Sequence, residues 1–238
     1  MIDLRRRDGR MLRIGHRGAA ALAAENTIAA LALALELECD LVEVDVLELD
    51  GALVLAHSQA EVPAELASLD DALTFLGPGS CGIQLDLKAR GAEHGLVDAV
   101  RRHGLVERVV VSSFRAASLR TLHALEPNLR LGLTYPEDRL GVSGRRFATP
   151  FVGSTLKVMR AALPRRIAWM LGSAEATAAM LQWQVVSKPV VDRCHAVGAA
   201  VLAWTVPSRE ALLSLDELGV DGVIADDPRI FPGLDFPR

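Results

Sequence analysis

The chain has 238 residues, half of them hydrophobic, and is long enough to bury one large core. A formal net charge of −4 excludes a nucleic-acid-coating protein, and the apolar content excludes a disordered chain. No stretch approaches the roughly 18 apolar residues of a membrane span. No apolar run follows the charged residues 1–7, so the expectation is a cytoplasmic protein without a secretory signal. Three widely spaced cysteines, Cys39, Cys81 and Cys194, read as small buried hydrophobes in a reducing compartment, not as a disulfide or zinc framework.

In chain order, the first predicted strand covers 11–15 and runs into His16-Arg17-Gly18. A helix is predicted over 27–38, with Asn26 or Thr27 as its cap. The next strand, 41–47, is apolar except for Glu43 and Asp45, which lie two apart and therefore share a face. Asp50-Gly51 is a hairpin signal, so 52–56 is predicted as an extra strand beside the main sheet, ending at His57. A helix over 68–76 precedes a strand over 82–87, where alternation puts Asp86 and Lys88 on one face. Then follow a helix over 91–103, a strand over 108–113, a helix over 115–125 and a strand over 130–134. Residues 136–155, rich in Gly, Pro, Ser and Arg, read as a long loop before a helix over 154–171. The remaining strands are 177–183, 200–204 and 221–225, separated by helices over 188–197 and 208–218. Such alternation predicts a parallel sheet, and the length fits a (β/α)₈ barrel forming a single domain over 1–238.

Two ionised carboxylates on one face of a buried strand repel each other, and a hard divalent cation with oxygen ligands is the simplest relief. Active sites of parallel barrels collect at the C-terminal ends of strands, where His16, Glu43, Asp45, Asp86 and Lys88 fall. A cation held by Glu43, Asp45 and Asp86 would neutralise a phosphate oxygen. Arg17 and Lys88 would add positive charge, and His16 and His57 would divide the proton transfers. Lys88 is one of only three lysines, against twenty-three arginines. The other four histidines, His94, His103, His123 and His195, fall in helical patterns and read as structural or exposed.

The stretches IGHRGAAALAAENTIAAL (14–31), DLVEVDVLELDGALVLAHS (40–58), IQLDLK (83–88), VVSSF (110–114), VLAWTV (201–206) and GVDGVIADDP (219–228) span nearly the whole chain. In that order they resemble the glycerophosphodiester phosphodiesterase family, among the phosphatidylinositol-phosphodiesterase-like TIM barrels. The resemblance implies a (β/α)₈ barrel that hydrolyses glycerophosphodiesters to glycerol 3-phosphate and an alcohol. It implies one divalent cation, Mg²⁺ or Ca²⁺ or else Mn²⁺, and a small-molecule substrate in lipid and glycerol metabolism, while the Ala and Arg enrichment points to a GC-rich bacterial genome. By the same resemblance His16 and His57 are the acid/base pair, and Glu43, Asp45 and Asp86 are the metal ligands. Arg17 and Lys88 contact phosphate, Trp204 lines the pocket, and Glu25 supports the site. The chain departs from the family pattern in having Asp86 where glutamate is usual and Ser58 where aspartate usually follows the second histidine. It also has a reduced insertion, Ser58 to Ala67, after the second strand.

Two other readings are a phosphoester-binding homologue with weakened catalysis and a lysophospholipase D-like enzyme acting on larger lipids. Against the second, the sequence shows no evident basic amphipathic helix with an apolar anchor, and no nucleic-acid partner or stable membrane insertion is expected. The alcohol group and the oligomeric state are left open.

Overall fold

The computed structural model describes residues 1–6, 8–60, 66–136 and 150–231, the side chains of 150–155 excepted. Eight parallel strands form a closed barrel: β1 (Leu12–Gly15), β2 (Leu41–Leu49), β4 (Gly82–Leu87), β5 (Val109–Ser113), β6 (Arg130–Tyr135), β7 (Ala178–Gln182), β8 (Ala200–Trp204) and β9 (Gly222–Ala225). Closure is made by β1, which pairs with β2 on one side and β9 on the other. The ninth strand, β3 (Ala52–Leu55), lies outside this circle and pairs antiparallel with the far end of β2, as the Asp50-Gly51 turn predicts. The helices are α1 (Ile28–Glu36), α2 (Leu69–Leu76), α3 (Glu93–Arg102), α4 (Ala116–Leu125), α5 (Pro150–Ser173), α6 (Lys188–Ala196) and α7 (Arg209–Leu218).

Alternation along the strands sorts the core into two compartments. Outward residues such as Val42, Val44, Leu85, Val111, Leu133 and Val201 pack beneath the helices. Inward residues Leu12, Ile14, Leu41, Val110, Met180, Leu202 and Ile224 form a separate apolar cluster inside the barrel, closed from below by Ile2 and Leu4. The same inward positions turn polar toward the strand ends: Glu43, Asp45, Gln84, Asp86, Ser112 and Thr134 are all buried. Gly82 belongs to the crowded floor, where a Cβ would come within 2.4 Å of Ile2 Cδ1. A dry lower half and a polar upper half therefore follow from one period-2 pattern.

The helix ends follow from local chemistry. Thr27, and not Asn26, caps α1, its side chain accepting from the Ala30 amide. Ser68 and Asp71 form a reciprocal capping box at the start of α2. Gly219 closes α7 in the left-handed conformation, with φ +84°. One boundary differs from expectation. α5 begins at Pro150, so 150–155 are helical instead of loop, and proline suits the first turn because its missing N–H has no partner there. The rest of the expected loop, 137–149, lies outside the described residues, as do 61–65 within the reduced insertion. After β9 the chain makes a short 3-10 turn, Pro228–Ile230. Among the described residues, no helix is long and apolar enough to cross a membrane.

Asp221 ties the lower rim together. It is 3 % exposed and accepts from the amides of Val201 at 2.8 Å and Arg6 at 3.4 Å. His195 Nε2 also lies 2.8 Å from its Oδ2. Replacing Asp221 by alanine leaves the buried Val201 amide unpaired and should cost about 2–3 kcal/mol, measurable by urea unfolding. An unchanged midpoint would show that Asp221 does not fasten β8 and the N-terminal segment to the barrel.

Candidate active site

At the polar end of the barrel, β1 gives way to a loop that folds back on β2. Arg17 and Gly18 both adopt left-handed backbone, with φ +48° and +82°. A side chain at Gly18 would strike the Ala30 backbone, its Cβ only 2.5 Å from that carbonyl carbon, so glycine is required for the close approach. The turn aims two amides at β2: Arg17 N donates to Glu43 Oε2 at 2.8 Å and Gly18 N to the Glu43 carbonyl at 3.1 Å. Asn26, also left-handed at φ +59°, makes a reciprocal pair with Asp45. Its Nδ2 donates to Asp45 Oδ2 at 3.1 Å and its Oδ1 accepts from the Asp45 amide at 3.0 Å.

Glu43, Asp45 and Asp86 converge. Each offers one carboxylate oxygen, and the three lie within 4.8 Å of one another, all buried. The register makes this unavoidable: Asp45 and Asp86 are direct neighbours on β2 and β4, and Asp86 neighbours Ser112 on β5. Asp86 Oδ1 accepts from Ser112 Oγ at 2.6 Å and from Thr134 Oγ1 at 3.3 Å. These bonds hold one oxygen and leave Oδ2 facing the cluster. The shorter side chain of aspartate therefore does not withdraw Asp86 from the site.

Two cations answer these charges. Arg17 Nε lies 2.9 Å from Asp45 Oδ2, and its Nη1 donates to Glu25 at 2.7 Å. Lys88 Nζ sits between Asp45, at 2.7 Å from Oδ1, and Asp86 Oδ2. Asp45 Oδ1 is buried in the middle of the cluster, with the Lys88 ammonium as its ion-pair partner. Three hard oxygen donors this close together suit a divalent cation.

Electrostatics divide the acids. Burial and the Asp45 charge push Glu43 up to about 7. Burial would also raise Asp45, but Lys88 and Arg17 outweigh it and hold Asp45 well below the carboxylate range. Burial would lower Arg17 and Lys88, yet their acid partners raise both. His16 behaves likewise: burial alone would lower it, and the Glu43 charge with the Asp226 hydrogen bond raise it. His16 Nδ1 is 2.6 Å from Asp226 Oδ1, so Nδ1–H donates to that carboxylate. The other nitrogen, Nε2, then faces the carboxylate cluster, 3.9 Å from Glu43 Oε2.

The structure thus joins His16, Arg17, Glu25, Glu43, Asp45, Asp86 and Lys88 in one connected network. Trp204 borders it: its ring meets Phe114 edge-on at 6.1 Å, and Lys88 Nζ lies 5.9 Å from the centre of Phe114. His57 is half-buried two residues beyond the end of β3, which runs back along β2 from the rim. Sequence reasoning missed the roles of Asn26, Ser112, Thr134, Phe114 and Asp226. Asn26 stands beside Glu25, and Asp226 follows β9 as His16 follows β1, so both had a positional signal.

Relatives bear on this geometry. A glycerophosphodiester phosphodiesterase from Caldanaerobacter subterraneus subsp. tengcongensis is 27% identical, over 93% of this chain and 96% of its own. An Oleispira antarctica phosphodiesterase, solved with the product sn-glycerol-3-phosphate, superposes with a TM-score of 0.73 at 23% identity, over 91% of this chain and 93% of that one. A Parabacteroides distasonis glycerophosphodiester phosphodiesterase gives a TM-score of 0.72 at 20% identity, over 92% of this chain and 94% of that one. The model of the glycerophosphoryl diester phosphodiesterase family matches residues 16–72 and 84–230, and the chain belongs to that family of enzymes.

Proposed function

We propose that this single barrel domain hydrolyses glycerophosphodiesters to glycerol 3-phosphate and an alcohol with the help of a divalent cation. The observation that carries the reading is the convergence of Glu43, Asp45 and Asp86 beside Arg17, Lys88 and His16. The product found on the Oleispira relative supports the substrate class. Glu43, Asp45 and Asp86 would hold the cation, and their all-oxygen chemistry suits Mg²⁺, Ca²⁺ or Mn²⁺. When bound, such an ion neutralises phosphate charge and makes an attacking oxygen more acidic.

The remaining work falls to the protein's own groups. Asp226 fixes the His16 tautomer, leaving Nε2 to take or give a proton at the reacting phosphodiester. His57, delivered from the opposite chain direction by β3, serves the other proton transfer. Arg17 and Lys88 stabilise negative charge on the phosphoryl oxygens, with Glu25 steering the Arg17 guanidinium. Trp204 and Phe114 form an apolar wall for the glycerol or alcohol portion.

Metal dependence is checked by assaying a panel of glycerophosphodiesters with EDTA and then with each ion. Activity should vanish in EDTA and return with a divalent cation, whereas full activity in EDTA would exclude the proposal. Calorimetric titration adds a second reading. The raised Glu43 carboxyl holds a proton below about pH 7 and must lose it to bind a cation, so affinity should rise from pH 6 to pH 8 with proton release. Asp86→Asn should weaken binding while Asp86→Glu retains it; equal affinity in Asp86→Asn and wild type would leave a two-carboxylate centre.

For the proton carriers, His16→Ala and His57→Ala should each lower kcat by about 10²-fold or more. Near wild-type turnover in either folded variant would remove that histidine from the chemistry. Loss of turnover in wild type itself, with binding of the diester intact, would mark a phosphoester-binding homologue.

A further inference from the structure

Among the described residues, α5 differs from every other helix of the barrel. It has 24 residues, whereas the other six have 8 to 10. At 1.5 Å per residue it is about 36 Å long, against about 15 Å for its longest neighbours. Its C-terminus leads into β7 at the plugged end of the barrel, so the surplus length rises toward the mouth. There it packs against α6 and the short 3-10 turn Trp183–Val185 that follows β7.

Its inner face is apolar in the ordinary way, with Leu163, Ile167 and Leu171 buried. Its outer face is not an ordinary solvated surface. Trp169 is 71 % exposed and Val158 69 % exposed, and they are eleven residues apart, three turns, so they share a line along the helix. Arg165 and Arg166 flank them and Lys157 lies further round the helix, whereas Arg160 falls on the stripe of Leu163, Ile167 and Leu171. The helix carries these four cations and no acid, in a chain whose net charge is −4. None of the four has an ion-pair partner among the described residues. Pro164, Gly153 and Gly172 interrupt the helix, which has no regular amphipathic period, and the exposed pair stands out only once the inner face is packed.

We propose that the outer face of α5 docks the protein on an anionic phospholipid surface. Trp169 and Val158 enter the headgroup zone, and Arg165, Arg166 and Lys157 hold lipid phosphates. An indole in that zone keeps its ring in the apolar boundary and its N–H in water, and cations beside it gain from the negative surface potential. A nucleic-acid backbone would satisfy the cations but offers nothing to Val158. A second copy packed across a twofold axis would set like charges against each other. Docking along α5 would place the barrel mouth beside the membrane surface, and it is independent of catalysis, so either reading can fail alone.

The test uses the full chain and sedimentable vesicles, one set of equimolar phosphatidylglycerol and phosphatidylcholine, the other of phosphatidylcholine alone. The protein should pellet with the first set and not the second, and binding should fall as salt is raised. The double variant Arg165→Glu/Arg166→Glu should bind roughly tenfold more weakly or worse. Vesicles should shift wild-type tryptophan emission to the blue, and Trp169→Phe should abolish that shift. Turnover of soluble glycerophosphocholine should not change, since these side chains lie outside the site. Absent or equal pelleting with the two vesicle sets, or binding that survives charge reversal, would overturn the proposal. So would tighter binding to duplex DNA than to anionic vesicles, or an α5-dependent dimer in sedimentation velocity.

Discussion

The buried carboxylate of Asp45 is the constraint around which the polar half of this barrel is arranged. It has no exposure to solvent, and an uncompensated carboxylate in such a place costs several kcal/mol. Arg17, Lys88 and Asn26 all reach it, from three separate segments of the chain. To deliver Arg17 and Asn26, the loop after β1 accepts left-handed backbone at both, a cost in local strain that the pairing offsets. Glu43 and Asp86 then add negative charge that two cations do not fully balance. The cluster can shed it by taking up a proton, as the raised Glu43 carboxyl shows, or by taking up a metal cation. Those two outcomes compete for the same oxygens.

Much of this was legible because the barrel enforces a period of two. Glu43 with Asp45, and Asp86 with Lys88, could be assigned to a common face from spacing alone. The hairpin that sets β3 apart was written in Asp50-Gly51. What stayed hidden depends on register between strands, which no local pattern encodes. Nothing in the sequence around Ser112 or Thr134 says that β5 and β6 present them to Asp86. Asn26 looked like a helix cap because asparagine commonly is one; the cap fell to Thr27, and the amide was used to mimic a strand partner for Asp45. Asp226 needed the closure of β9 onto β1 before it could meet His16.

α5 shows the opposite failure. Pro150 and Gly153 read as the end of a loop although 154–171 read as helix, and packing of Leu163, Ile167 and Leu171 against the barrel holds the helix together across Pro164. The same interruptions blur the amphipathic pattern, so the solvent-facing line of Val158 and Trp169 emerges only once the inner face is fixed. Tertiary structure decides which residues are left over, and those residues can carry a function of their own.

The position of β3 has a consequence for how firmly the site is held. The carboxylates and His16 rise from strands paired on both sides within the closed barrel. β3 is an edge strand, held along one side by β2 and at its end by the Leu55 amide to Ala67 and a single bridge from Val54 to Ser68. Val54, Leu55 and Ala56 are buried, so apolar packing supplements the ladder bonds that hold it. His57 lies two residues beyond this strand. The two histidines therefore stand on different supports: His16 follows a strand paired on both sides within the barrel, and His57 follows one laid along β2 outside the circle.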